Sequence, residues 1–177
     1  RPSYTVEELR AICDEAHKFG KLVGAHCRCT SGIVNSLDAG VDMIIHVWFR
    51  EEDGSFNFRS DVAERIAKEG TLVNSTLHTA RQTVRKLSEM VESAKERGTD
   101  AYGKVSLDLE TAKRNQELQL NDVRRLGQLG VPLIPGTDSG FSWYPFGGFG
   151  YELECLVLAG FTPMRAIQAA TRDASEA

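Results

Sequence analysis

The sequence predicts a parallel α/β fold, and three observations lead to that prediction. A helical pattern, a glycine and a short run of apolar and β-branched residues follow one another four times along the chain. Each glycine suits the left-handed backbone position just after a helix, where a side chain would be strained. The runs are nearly continuous in apolar residues, as in 43–45, which is typical of strands buried in a parallel sheet. Strands alternating with helices at this spacing form βαβ units.

The first and last helices are predicted by their N-terminal signals. Thr5 and Glu8 form a capping box, and apolar residues at helical spacing carry the helix from about Val6 to Lys18. A later helix, with apolar residues on its inner face, is expected to be capped by Ser60. The final helix opens at Thr162, a cap residue followed by a first-turn proline.

The long interval after the third run is predicted to hold two helices, as an insertion at about 79–128. Thr79 and Gln82 are expected to cap the first of them, which stops at Gly98. The second is expected from about Ser106 to Gln128. Their mixed charges are those of a solvated face, so we assign them no chemistry.

The composition is that of one ordinary globular domain over residues 1–177. Hydrophobic residues make up 41% of the chain, charged residues 26%, and the net charge is −4. No apolar run approaches the roughly 18 residues that a membrane-spanning helix needs. The small excess of acidic residues does not favour binding to the negatively charged backbone of a nucleic acid. We therefore expect a small-molecule partner, with neither membrane nor nucleic acid. No leader segment is visible after Arg1, so a cytoplasmic location is the default expectation.

The four cysteines are predicted to be reduced, because they are too few for a disulfide scaffold in a chain of this length. Cys13 and Cys155 fall on apolar helix faces, where a thiol packs as a small hydrophobic group. Cys27 and Cys29 are one residue apart rather than two, and no second pair follows, so a zinc ribbon is not predicted.

Polar residues stand where the predicted strands end. The four runs end at His26, His46, His78 and Asp138. The loops after parallel strands open onto one shared face, where such folds carry their chemistry. Imidazoles and carboxylates are the right ligands for Zn²⁺ or a similar divalent ion, so we predict that His26, His46 and Asp138 bind metal. The alternatives are strand-end histidines bonded to backbone and a turn carboxylate.

Four short motifs follow one another over nearly the whole chain. They are Ala25-His26, the segment from Gly40 to His46, the segment from Pro135 to Asp138, and the segment from Phe161 to Thr171. Together they resemble the metal-dependent amidohydrolase superfamily, especially its imidazolonepropionase-like and zinc-dependent carboxypeptidase (Xaa-Pro dipeptidase-like) members. The resemblance implies a (β/α)₈ TIM barrel, of which this chain supplies about the last four β/α units. Such a barrel typically needs about 250 residues.

The resemblance also implies a role for each matched residue. His26 and His46 bind one or two divalent ions, with Zn²⁺ as the first candidate. If only one ion is present, His46 is instead the residue that orients the metal-bound water in such enzymes. Asp138 binds metal and shuttles a proton. The implied reaction is hydrolysis of an amide, peptide-like or cyclic C–N bond in a small-molecule or dipeptide-like substrate. The metal ligands that the superfamily carries on its first and fourth strands have no counterpart here, so we expect the N-terminal half of the barrel, or a second copy, as partner.

Five further residues are candidates for substrate binding. His78 is either a substrate contact or a structural histidine. Arg28 and Arg50 follow the first two strands, and either could hold a substrate carboxylate as a bidentate fork; an exposed loop arginine is the alternative. Trp48 and Trp143 lie in aromatic loops that either enclose a substrate or pack onto the barrel.

Two other functions stay open at this point. Within the superfamily, a deaminase or a phosphotriesterase would use the same barrel, because the loops decide the substrate. In another class, the chain would be a non-catalytic half-barrel that serves folding or assembly. The open strand edges of a half-barrel predict self-association if the chain stands alone.

Overall fold

Four short parallel strands form the sheet of the computed structural model, which describes residues 2–97, 102–140 and 144–177, with the backbone alone for 102–107. The strands lie side by side in chain order: β1 (Gly24–His26), β2 (Met43–Ile45), β3 (Leu72–Asn74) and β4 (Leu133–Ile134). One row across the sheet pairs Ala25 with Ile44, Ile44 with Val73, and Val73 with Leu133. All four carboxyl ends therefore lie along one rim.

Helices connect the strands and cover the sheet. They are α1 (Val6–Lys18), α2 (Thr30–Ala39), α3 (Ser60–Glu69), α4 (Leu77–Arg97), α5 (Tyr102–Gln128), α6 (Phe149–Leu158) and α7 (Pro163–Gln168), then a π-helical turn (Ala169–Asp173) and α8 (Ala174–Glu176). The core lies between the sheet and these helices, where Ile44, Val73, Ile66, Leu126 and Leu156 are fully buried. Within the described ranges, no helix combines the length and the apolar character that a membrane crossing requires.

The structure confirms the predicted helix starts that depend on local signals. The Thr5 hydroxyl accepts from the backbone N–H of Glu8 at 3.3 Å, and the Glu8 carboxylate accepts from the N–H of Thr5 at 2.8 Å. The Thr162 hydroxyl accepts from the N–H of Arg165 at the start of α7. The predicted cap of α3 is wrong by one residue: Ser60 is already helical, and the cap position belongs to Arg59, without a side-chain hydrogen bond.

The two helices between β3 and β4 begin earlier than predicted. α4 starts at Leu77, so Thr79 and Gln82 lie inside it and do not cap it. The Thr79 hydroxyl instead donates to the Thr76 carbonyl within the first turn. α5 starts at Tyr102 rather than near residue 106. The predicted stop at Gly98 lies outside the described residues.

The four cysteines are free, as predicted. Cys13 and Cys155 are buried in the core, together with Cys27 at the start of the loop after β1. Burial raises the pKa of the Cys155 thiol to about 11, with Glu152 as the next cause. This thiol is therefore protonated near neutral pH and packs as an apolar group.

Candidate active site

Three predicted site residues meet at the carboxyl rim of the sheet. His26 is the last residue of β1, His46 directly follows β2, and Asp138 lies in the loop after β4. The Nε2 atom of His46 lies 2.9 Å from Nδ1 of His26 and 3.9 Å from Oδ2 of Asp138. The two imidazole rings meet edge to face, with their centroids 4.5 Å apart. The structure thus brings together side chains from the end of β1 and from the loops after β2 and β4.

His46 is the buried centre of this group. Its side chain is 8% exposed, and its Nδ1 lies 2.6 Å from the hydroxyl of Thr76. When that hydroxyl accepts from Nδ1, the lone pair of Nε2 faces His26 and Asp138. Burial lowers the pKa of His46 to about 4; His26 and Arg28 lower it further, and Asp138 opposes them. His46 is therefore neutral at physiological pH, which is the form that binds metal.

At this rim, four residues other than glycine have a positive backbone φ angle, a conformation that residues with a side chain rarely adopt. The φ angle is +75° at His46, +52° at Val47, +46° at Thr76 and +49° at Asp138. A positive φ is uncommon for any residue other than glycine, and most unusual for a β-branched one. Such strained positions cluster at active sites, where the surrounding structure holds them in place. Here they occur after β2, β3 and β4, and two of the four, His46 and Asp138, are themselves candidate site residues.

The donor set suits a divalent metal ion but is incomplete among the described residues. Two imidazole nitrogens and a carboxylate oxygen are ligands that Zn²⁺ prefers. His26 is exposed, and the Asp138 side chain is 45% exposed, so further ligands can approach them. Among the residues that the structure describes, no group of three or more His, Cys, Asp or Glu side chains has the arrangement of a metal site. A complete site would require at least one more ligand.

A buried carboxylate that the sequence analysis did not single out lies behind the rim. Glu152, in α6, is fully buried. It accepts hydrogen bonds from the Ser75 hydroxyl at 2.5 Å and from the backbone N–H groups of Leu77 at 3.0 Å and His78 at 2.5 Å. Burial raises the pKa of Glu152, while these donors and the backbone N–H of Gly136, two residues before Asp138, lower it. Glu152 thus caps α4 from another helix and joins it to the loop after β3.

The predicted position of His78 is wrong: β3 already ends at Asn74, and His78 is the second residue of α4. Its ring is 3% exposed and stacks on Tyr151 with centroids 5.6 Å apart. Burial lowers the pKa of His78, and Arg81 lowers it further. Since the ring packs against α6 rather than standing at a strand end, its surroundings favour the structural interpretation.

The other residues predicted to bind substrate do not all lie in one cavity. The guanidinium carbon of Arg28 lies 4.4 Å from the centre of the Trp48 ring, and both residues line one cavity together with residues of α4 and α5. Arg50 is exposed and lies in a different groove, which it shares with Trp48 and Phe56. Trp143 lies outside the described residues.

Gly136, in the loop that carries Asp138, lies close to the end of β3. A Cβ atom at this position would lie 2.2 Å from Oδ1 of Asn74, which is itself buried. We therefore expect Gly136→Ala to lower the free energy of unfolding by about 1–3 kcal/mol in urea titrations. Gly150→Ala in α6 is the matched control, because its Cβ meets open space and alanine favours a helix. Equal stability of Gly136→Ala and wild type would contradict the close approach.

The comparisons with known proteins agree with this architecture. The family model for the amidohydrolase family matches residues 1–177, and the chain belongs to that family. Ochratoxinase of Aspergillus niger is 26% identical over 172 residues, which are 97% of this chain and 31% of that protein. The crystal structure of that ochratoxinase matches with a TM-score of 0.65 and 24% identity, over 97% of this chain and 33% of its own.

Two further crystal structures are similar over almost the whole chain. A Xaa-Pro dipeptidase with methionine bound in its active site has a TM-score of 0.69 and 24% identity, over 99% of this chain and 38% of its own. A Bifidobacterium longum protein with a provisional assignment as a prolidase has a TM-score of 0.71 and 29% identity, over 97% and 39%. The chain spans about a third of the length of these relatives. The predicted fold class, part of a parallel (β/α)₈ barrel, is confirmed.

Proposed function

We propose that this chain supplies part of the active site of a metal-dependent hydrolase that cleaves an amide, peptide-like or cyclic C–N bond. The observation that carries the proposal is the convergence of His26, His46 and Asp138 at the carboxyl rim of a member of the amidohydrolase family. The names of its relatives, ochratoxinase and Xaa-Pro dipeptidase, support a small-molecule or dipeptide-like substrate.

The chemistry follows from the properties of these side chains. His26, His46 and Asp138 would hold one or two divalent ions, with Zn²⁺ as the first candidate. Such an ion would lower the pKa of its bound water towards about 7 and would polarise the carbonyl group under attack. The Thr76 hydroxyl keeps the His46 ring turned with Nε2 towards the site. Asp138 accepts a proton from the attacking water and delivers it to the leaving nitrogen as the C–N bond breaks.

The remaining ligands are proposed to come from the rest of the same barrel. The chain covers about a third of its relatives, and β1 and β4 are the two edges of the described sheet. An unpaired strand edge favours pairing with another strand, and closing the barrel satisfies both edges. A second copy of the chain is the other partner that would cover these edges.

Removing either histidine tests the metal site. In the protein that carries this chain, we expect His26→Ala and His46→Ala each to weaken Zn²⁺ binding by at least about tenfold, since even the partners of metal ligands contribute that much. Competition with a chromogenic chelator measures the affinity, and a panel of N-acyl amino acids and dipeptides measures hydrolysis. His17→Ala is the matched control, because His17 is exposed on α1 and bonds to Asp42. Retained metal and activity in both variants would overturn the proposal.

A further inference from the structure

The turn between β3 and α4 connects the candidate active site to the buried carboxylate of Glu152. Thr76, at the centre of this turn, is 4% exposed, and its hydroxyl lies 2.6 Å from Nδ1 of His46. Both of its chain neighbours bond to Glu152, Ser75 through its hydroxyl at 2.5 Å and Leu77 through its backbone N–H at 3.0 Å. A continuous series of contacts therefore runs from α6 through this turn to His46.

The backbone conformation of Thr76 requires support from its surroundings. Its φ angle is +46°, and a positive φ is a genuine outlier for a β-branched residue. Such a conformation costs free energy and persists only where the surrounding structure holds it. The Thr76 carbonyl accepts from the N–H of Thr79 at 3.2 Å and from its hydroxyl at 2.8 Å, but these bonds lie within the turn itself. Glu152 bonds to both flanks of Thr76 from another helix, so it can fix the place of the hydroxyl.

The place of this hydroxyl decides how the His46 ring faces the site. A neutral imidazole carries one N–H and one lone pair, and an acceptor at Nδ1 keeps the lone pair on Nε2. Nε2 lies 2.9 Å from Nδ1 of His26 and 3.9 Å from Oδ2 of Asp138, the other donors of the candidate metal site. Because His46 is buried, an Nδ1–H group without the Thr76 hydroxyl would lack an acceptor, which disfavours the form that binds metal.

We propose that Glu152 is a positioning residue of the active site, which acts on His46 through the strained turn at Thr76. Within the described ranges, Glu152 forms no hydrogen bond or ion pair with either rim histidine or with Asp138, so the turn is its route to the site. This inference rests on the proposed hydrolase function and extends the site from the rim to a group in α6. It predicts that Glu152 and Thr76 contribute to metal binding as one unit.

A double-mutant cycle on Zn²⁺ affinity tests this unit in the protein that carries the chain. Thr76→Val removes the hydroxyl and keeps the shape, so we expect Zn²⁺ to bind about ten- to hundredfold more weakly, with Thr76→Ser close to wild type. Glu152→Gln places an amide donor against one of the backbone N–H groups that bond to the carboxylate, so we expect a loss of about tenfold. Added to Thr76→Val, it should cost less than about twofold more, because both changes act through one contact. Glu154→Gln, exposed on the same helix, is the control and should keep the wild-type affinity.

Nitrogen NMR of the histidine rings in the metal-free protein measures the same contact without metal or substrate. We expect the ring proton of His46 on Nδ1 in the wild type, and a shift of the proton towards Nε2 in Thr76→Val and Glu152→Gln. Ser75→Ala removes only one bond to Glu152 and is the milder variant, with a smaller shift expected in the same direction.

The outcomes separate the positioning role from the hydrolysis. A wild-type His46 protonated on Nε2, an unchanged Zn²⁺ affinity in Thr76→Val, or losses in the double variant that simply add would each overturn the positioning role. If the His46 proton and the Zn²⁺ affinity depend on Thr76 and Glu152, and no N-acyl amino acid or dipeptide is hydrolysed, the positioning role stands and the proposed hydrolase function fails.

Discussion

Glu152→Ala is expected to lower the free energy of unfolding by about 4 kcal/mol or more. The substitution leaves the buried donors on Ser75, Leu77 and His78 without their acceptor, and each such loss costs about 1–3 kcal/mol. It also opens a cavity where a fully buried side chain was. Urea-induced unfolding followed by circular dichroism measures the change.

Glu154→Ala is the matched control for this prediction. Glu154 lies one half-turn further along the same helix, is exposed, and pairs with Arg81 at the surface. Exposed ion pairs of this kind contribute about 0–1 kcal/mol. A Glu152→Ala protein as stable as Glu154→Ala would show that the buried carboxylate does not hold the loop after β3 and the start of α4.

The same carboxylate is expected to make stability depend on pH. Burial raises the pKa of Glu152 from 4.5 to about 7, against the hydrogen bonds that lower it. Between these two values the folded protein keeps a proton that the unfolded chain has released, so the stability from this group is fully present below pH 4.5 and is lost as the pH rises through about 7. Glu152→Gln should flatten that slope in unfolding curves recorded from pH 4.5 to 8. An unchanged slope would contradict the assignment.

Asp138→Asn is expected to lower kcat by about 10²–10⁴-fold on the best substrate of the panel, because an amide cannot accept the proton of the attacking water. Asparagine has the same shape, and it tolerates the φ of +49° that Asp138 adopts. The side chain is 45% exposed, so stability should change little. Steady-state kinetics and thermal unfolding on the same preparations separate the two effects.

The comparison for Asp138→Asn is Asp61→Asn. Asp61 is exposed in the first turn of α3, where it pairs with Arg59. We expect this variant to keep the wild-type kcat. A normal kcat in Asp138→Asn would remove the aspartate from the proton transfer, and an equal loss in both variants would point to a general effect of charge.

Local signals explain which elements the sequence predicted well. The capping box at Thr5 and the cap at Thr162 act within one turn, so the starts of α1 and α7 can be read from a few neighbouring residues. The start of α4 could not be predicted in this way. Its N-terminal N–H groups bond to Glu152, more than 70 positions later in the chain. A cap supplied by another helix leaves no local pattern.

The sequence predicted which residues meet at the candidate site, but it did not predict the buried group that lies behind them. His26 and Asp138 could be placed because parallel strands deliver the residues after them to one rim. Glu152 was missed because a helical glutamate is most often solvated. One signal could have found it: Glu152 shares a helix face with Cys155 and Leu156, three and four residues on, and both are buried.

The sequence by itself determined the parallel α/β units, the likeness to amidohydrolases and the side chains that could bind metal. Only the tertiary structure decided that Thr76 bonds to the His46 ring, that Arg28 lies over Trp48, and that Glu152 is buried behind the rim. The physical reason is that hydrogen bonding, burial and the pKa values that follow from them depend on groups far apart in the chain. Periodicity and capping report only on neighbours within a few residues.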